Sequence, residues 1–288
     1  MKGIEVISSR EEGFSPLLFS CGGGGSNIAR ELRKLESVTV DTSAGSDIRL
    51  DAETLSVMEM KPQVLKYADF PFMRKMKSLL NGHDAAFIVA GLGGFAGSCG
   101  AAVVSKAAAA LSIPVIASAA LPFGVEGGAR RAEARKALVR LEENASLTAA
   151  FENNIILESA PHMKMSQALS VMNRIVSSPL TELMKHVDGG WARGLIGRHY
   201  RCTYSVDYSI GEGWEKKTVT ALLAQMHESS ANAVRACLFV ESAGGEEESA
   251  TKIAEEVKKR CGAETITVWI AKGAGEGQNR VAAFMLSE

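Results

Sequence analysis

Two glycine-dense stretches hold the residues whose types and spacing point to chemistry. They are Gly22-Gly23-Gly24-Gly25-Ser26-Asn27 and Gly91-Leu92-Gly93-Gly94-Phe95-Ala96-Gly97-Ser98-Cys99-Gly100. The second follows the apolar run Ala85-Ala86-Phe87-Ile88-Val89-Ala90 and leads into Ala101-Ala102-Val103-Val104. A buried strand, a glycine turn and a helix start together form an anion holder. Glycine lets backbone N–H groups approach closely, and the helix dipole favours negative charge. The expected ligand is therefore phosphorylated, a nucleotide above all. Phe95 and Cys99 are large side chains for such a turn. Neither stretch is a dinucleotide fingerprint, because Asn27 or Ile28 stands where the third glycine of G-x-G-x-x-G belongs. The chain also has no G-x-x-x-x-G-K-[ST] loop. Asp41, at the end of the next apolar run, is placed as a ribose-binding acid would be in a dinucleotide enzyme.

Composition narrows the classes further. The chain has 288 residues, 32 Lys plus Arg and 33 Asp plus Glu. Near-zero net charge leaves no whole-chain footprint for nucleic acid or an acidic membrane. Neither an 18-residue apolar span nor a secretory leader is present, so a cytoplasmic protein with no direct membrane segment is expected. The five cysteines (Cys21, Cys99, Cys202, Cys237, Cys261) form no CxxC or His/Cys cluster, so no metal centre is expected from them. Cys21 and Cys99 both adjoin glycine turns, which leaves a disulfide between them open. His83, His162, His199 and His227 form no constellation.

The elements that must position these turns alternate in type. Leu17–Ser20, Val38–Val40, residues 85–90, Ile113–Ala117 and Ile155–Leu157 read as strands. Helices are expected from Ser26, over 72–80, over 99–111 and over 129–143. This alternation predicts an α/β fold, a Rossmann-like parallel sheet with ligands at the carboxyl ends of its strands. Residues 163–187 read as a long helix with Met165, Leu169, Met172, Val176, Leu180 and Leu183 on one stripe, kinked or bounded at Pro179. Strands at 200–206, 234–240, 265–271 and 280–286, with helices at 216–228 and 247–260, predict a smaller α+β domain. The expected division is a nucleotide-binding domain over 1–162, a connecting helix over 163–190 and the α+β domain over 191–288.

As a set, these motifs resemble the tubulin/FtsZ superfamily. Gly22 to Asn27 is similar to the first nucleotide loop of FtsZ, and Gly91 to Gly100 to its signature GMGGGTGTGAAPVV. Pro122-Phe123-Gly124-Val125-Glu126-Gly127, followed by Arg130 and Arg131, resembles the family's PFxFEGxxR segment. From Gly93 to Glu126 the spacing matches without a gap. Ile210-Gly211-Glu212-Gly213 and Glu241-Ser242-Ala243-Gly244-Gly245 resemble the second FtsZ domain. The resemblance implies a guanine nucleotide, GTP or GDP, with Mg²⁺ as a possible companion. It implies contacts from Gly23, Gly24, Gly25, Asn27, Gly94, Phe95, Ala96, Gly97, Glu126 and Arg130, with Glu126 at the ribose. Gln167, near the start of the long helix, stands where a base contact is expected. The implied partner is a second copy or an FtsZ-like relative, joined head-to-tail in a cytoskeletal polymer of cell division.

The departures bear on catalysis. The GTG of the signature reads Phe95-Ala96-Gly97, so a threonine hydroxyl becomes a methyl. The glycine-rich third loop has no counterpart between residues 55 and 80. Lys61, Lys66, Arg74, Lys75 and Lys77 occupy that interval, either as a solvated face or as phosphate contacts. The family's NxDxxD reads His186-Val187-Asp188-Gly189-Gly190-Trp191, which keeps one acid. Asp188 is then the catalytic candidate, acting across a subunit interface, or else a turn residue at a helix end. The resemblance thus implies slow or absent GTP hydrolysis. A second reading is a tubulin-fold scaffold or regulator without nucleotide, acting on a hydrolysing FtsZ polymer. Only Ser287 and Glu288 follow the last expected strand, so the usual C-terminal tail is expected to be missing.

Overall fold

The computed structural model describes residues 3–7, 13–211, 213–225, 233–242, 247–273 and 278–288. The chain divides into two compact units, Gly13–His199 and a second formed by Met1–Glu12 with Tyr200–Glu288. Strand β1 (Ile4–Ile7) opens the chain and belongs to the second unit.

The first unit runs β2 (Pro16–Cys21), α1 (Gly22–Ala29), β3 (Ser37–Asp41), β4 (Ile48–Arg49), α2 (Ala52–Ser56), α3 (Pro62–Leu65) and α4 (Pro71–Leu80). It continues with β5 (Ala85–Gly91), α5 (Phe95–Ala110), β6 (Val115–Leu121), α6 (Gly128–Glu142), β7 (Leu147–Glu152), α7 (Asn154–Ser159), α8 (Met165–His186) and α9 (Gly189–Arg193). Its strands lie in the order β7-β6-β5-β2-β3-β4, with every neighbouring pair parallel. The chain progresses outward from β2 through β3 and from β5 through β6. The topological switch therefore falls between β2 and β5, where a crevice opens at the carboxyl ends of the strands. Both glycine stretches sit there. Every residue of β2 is buried, as are the first six of β5, which suits central strands covered on both faces.

Two expectations about local structure are corrected. The glycine stretches are largely helical: Gly22–Gly25 form the first turn of α1, and Phe95–Gly100 belong to α5. The strand expected at Ile155–Leu157 lies in α7, and the strand that follows β6 in the sheet is Leu147–Glu152. Leu147–Glu152 pairs in register with Ile116–Leu121 and satisfies its backbone there. The long helix matches its expected span closely and contains Pro179. Proline withholds one helical N–H, and side-chain donors serve carbonyls in this turn. The Ser118 hydroxyl donates to the Val176 carbonyl (2.5 Å) and the Ser178 hydroxyl to that of Arg174 (2.7 Å).

The second unit contains β8 (Tyr200–Ile210), α10 (Trp214–Ala224), β9 (Arg235–Ser242), α11 (Glu247–Cys261), β10 (Thr265–Lys272) and β11 (Gln278–Ser287). Its strand order is β1-β10-β9-β11-β8; β1, β10 and β9 are parallel, and β11 runs antiparallel to β9 and β8. The pairing of Ile4–Ile7 with Ile266–Trp269 draws the N-terminal strand away from the domain expected over 1–162. Glu212, His227 and Ala243–Gly245 lie outside the described residues. Among the described residues, no helix is long and apolar enough to cross a membrane.

None of the five cysteines is in a disulfide. Burial pushes the Cys21 thiol far above its ordinary value, with the Asp41 charge adding to the shift. Desolvation also raises Cys99, against a smaller opposing effect of Arg140. Thiolate is the reactive form, so both should alkylate slowly in the native protein at neutral pH. Thiol titration of the unfolded, unreduced protein should count all five, and a count of three would reinstate the Cys21–Cys99 disulfide.

Candidate nucleotide site

The two glycine turns hold each other before they hold anything else. Gly22 adopts φ +68°, and a Cβ placed on it would lie 2.6 Å from the Gly97 nitrogen. A Cβ on Gly24 would lie 3.0 Å from the Gly91 Cα. One on Gly25 would collide with the Val89 carbonyl oxygen, and one on Gly97 with that of Gly91. These glycines let α1 and α5 start against the ends of β2 and β5 with no side chain between. Gly23 is exposed, with nothing near its missing Cβ. Neither helix has a side-chain N-cap, so no side chain of the cap position satisfies the backbone N–H groups of either first turn.

Beside this junction is a cavity of about 140 Å³. It is lined from α1 by Gly24, Asn27 and Ile28, from the end of β5 by Gly91 and Leu92, and from beyond β6 by Ala120, Pro122, Glu126 and Arg130. Asn153 closes the β7 side, and Leu169, Met172 and Asn173 of α8 form the remaining wall. Glu126 is fixed at both oxygens: Oε1 accepts from the Phe123 N–H (2.8 Å), and Oε2 faces the Arg130 Nε (3.2 Å). The Gly124 N–H donates to Asn154 Oδ1 (2.8 Å). Gly93, at φ +93°, leaves room for Arg130, whose carbonyl oxygen would be 2.7 Å from a Cβ there. Asn153 is 6 % exposed, and its side-chain oxygen has no hydrogen-bond partner among the described residues. An amide oxygen buried without a donor is costly, and this one belongs to a cavity wall.

Of the residues expected from sequence, Gly24, Asn27, Glu126 and Arg130 line this cavity. Gly25 and Gly97 are buried against strand backbone, whereas Gly94, Phe95 and Ala96 stand at the start of α5 outside the lining. Phe95 is 58 % exposed. Gln167 is exposed and does not line the cavity. Asn173, further along the same helix, does, and so does Asn153. Sequence reasoning missed both, although Asn173 lies four residues after Leu169 and thus on its helical face. Asp41 accepts hydrogen bonds from the N–H and hydroxyl of Thr42 and does not line the cavity.

Asp188 lies beyond the far end of α8, which spans about 30 Å. It caps α9: its Oδ1 accepts from the Trp191 N–H at 2.7 Å. The expected role at the end of the long helix is therefore corrected to that of N-cap of the following one. Buried Gly189 leaves space for Asp84, whose carboxylate pairs with Arg193 (3.1 Å) and accepts from the Ser15 N–H (2.9 Å). Replacing Asp188 by alanine should destabilise the protein by about 1 kcal/mol, the usual loss for such a cap, as read from a denaturant melt. An unchanged midpoint would refute the capping role.

Comparison with known proteins bears on the fold that carries this cavity. The tubulin/FtsZ family GTPase domain matches residues 66–161, which include β5, α5, Glu126, Arg130 and Asn153. Cell division protein FtsZ 2 of Halobacterium salinarum is 28 % identical over 179 residues, covering 56 % of this chain and 44 % of that protein. Cell division protein FtsZ 1 of Archaeoglobus fulgidus is 36 % identical over 115 residues, covering 40 % of this chain and 31 % of that protein. The matched region thus spans less than half the length of either relative. Among solved structures, an empty FtsZ dimer from M. jannaschii superposes with a TM-score of 0.76 at 21 % identity, over 96 % of this chain and 89 % of that one. A GTPγS-bound protofilament of CetZ2 from Haloferax volcanii gives 0.69 at 15 % identity, over 96 % and 94 %. The architecture is the tubulin/FtsZ fold, with an N-terminal GTPase-type domain and a C-terminal domain. In sequence the chain is similar to these FtsZ proteins at low identity.

Proposed function

We propose that this protein binds a guanine nucleotide at the β2/β5 switch point, hydrolyses it slowly or not at all, and associates head-to-tail with itself or an FtsZ-like relative. The observation that carries this reading is the convergence of three asparagine amides, Asn27, Asn153 and Asn173, on one cavity, one of them with a buried oxygen awaiting a donor. A guanine edge offers adjacent N–H donors and a carbonyl acceptor, and an asparagine amide complements both kinds of group. Leu169 and Met172 supply apolar surface for the face of a base, and Glu126 stands near to receive a ribose hydroxyl. In a head-to-tail pair Asp188 would approach the neighbour's nucleotide, and such an interface extends into a filament when it does not close.

Weak hydrolysis follows from the residues at the end of α8. Asp188 is engaged as a cap, and Trp191 takes the place of the second acid. A carboxylate that orients water contributes orders of magnitude to a rate, at about 1.4 kcal/mol for each tenfold. Titration calorimetry with GDP and GTP tests binding, and phosphate release tests turnover. No heat with either nucleotide would remove the proposal.

The second reading, a nucleotide-free scaffold or regulator, is favoured by the cavity volume of about 140 Å³. Ligand sites usually enclose about 300 Å³ or more. On that reading the protein co-sediments with a hydrolysing FtsZ polymer and titrates no nucleotide.

A further inference from the structure

We infer that the site reads the nucleoside end of its ligand but neither the γ-phosphate nor Mg²⁺, so that GDP and GTP bind alike. This rests on the guanine-nucleotide reading and concerns what the same site can distinguish. The cavity's charged lining is one pair, Glu126 and Arg130, held at 3.2 Å and cancelling in net charge. Its other polar side chains are the uncharged amides of Asn27, Asn153 and Asn173. Such a lining suits a base and a sugar.

The phosphate end is built differently. None of the cations between residues 61 and 77 lines the cavity. Arg74 is paired with Asp69 (3.3 Å), Lys77 donates to the Ala68 carbonyl (3.0 Å), and Lys75 donates to the Asp47 carbonyl. At the start of α5, Phe95 presents an exposed ring, and position 96 carries a methyl. The hydroxyl in that turn, Ser98 Oγ, accepts from the Gly93 N–H at 3.0 Å. Mg²⁺ demands near-octahedral oxygen ligands and retains its waters. Glu126 is the one carboxylate of the lining, and both its oxygens are engaged. The residues present therefore do not fit a Mg²⁺-triphosphate, and backbone N–H groups of α1 and α5 are left to meet the nearer phosphates.

A consequence follows for regulation. A ligand shifts an equilibrium only by its differential affinity for the two states. If γ-phosphate is not read within the chain's own site, exchanging GDP for GTP can bias assembly only through contacts that a neighbouring subunit makes. The test is equilibrium titration with GDP and GTP, each with Mg²⁺ and with excess EDTA. The expected result is dissociation constants within about threefold of one another in all four titrations. GTP binding about tenfold tighter than GDP, or binding abolished by EDTA, overturns this inference and leaves the guanine-nucleotide reading standing. Absence of binding by both nucleotides overturns the two together.

Discussion

Gly97→Ala should lower the unfolding free energy by about 2–4 kcal/mol, whereas Gly23→Ala should leave it within about 0.5 kcal/mol of the parent. The first expectation reverses the usual rule. Glycine inside a helix is ordinarily the poorer residue by about 1 kcal/mol relative to alanine, and Gly97 lies in the first turn of α5. But its missing Cβ would overlap the Gly91 carbonyl oxygen and come within 3.2 Å of the Gly91 carbonyl carbon and 3.4 Å of the Cys21 oxygen. These are backbone atoms at the ends of central strands, and they cannot swing away as a side-chain tip can. Accommodation requires α5 to lift from β5, which loosens the packing of Ala101, Val103 and Val104 in the core. Gly23 faces open space, so the same methyl meets nothing there. Paired denaturant melts decide the matter, and equal midpoints for the two variants would show that the turns do not interlock.

The Asn153→Ala variant should bind GDP about 10–100-fold more weakly while melting within about 1 kcal/mol of the parent. The separation of the two readouts comes from the hydrogen-bond pattern. Asn153 Oδ1 has no partner among the described residues, so removing it breaks no bond to them. Its neighbour provides the contrast. Asn154 Oδ1 accepts from the Gly124 N–H at 2.8 Å, and Asn154→Ala should therefore cost about 1 kcal/mol of stability. Its effect on binding should come only through the loop that carries Glu126. Calorimetric titration and thermal melts of both variants check the pair. Undiminished affinity in Asn153→Ala would take that residue out of the site.

Much of the fold is legible in the residues themselves. The all-apolar β2 and β5 announce buried parallel strands, and the stripe from Met165 to Leu183 announces a long half-buried helix. The four-residue spacing of Glu126 and Arg130 anticipates a pair of side chains, and the two do pair at the wall of one cavity. Other features escape local reading. Ile155–Leu157 is apolar enough for a strand, yet Leu147–Glu152 takes the pairing with β6, and that depends on register with a distant segment. Ile4–Ile7 joins β10, more than 250 residues away in sequence, so the domain to which it belongs cannot be read from its neighbours.

By itself, then, the sequence determined the alternating α/β pattern, the two glycine stretches at strand ends and the Glu126/Arg130 pair. Periodicity and short spacings are local, and local geometry transmits them directly. Only the tertiary structure decided which glycines line the cavity and which face one another. It also decided that Asn153 and Asn173, rather than Gln167, reach the cavity, and that Asp188 is engaged as a cap. Each of these depends on how elements distant in sequence approach, and on whether a polar atom finds its partner within the chain or is left for something else to supply. The glycine turns that first suggested a phosphate holder are largely a packing joint between two helices and two strands, with the candidate base pocket beside it.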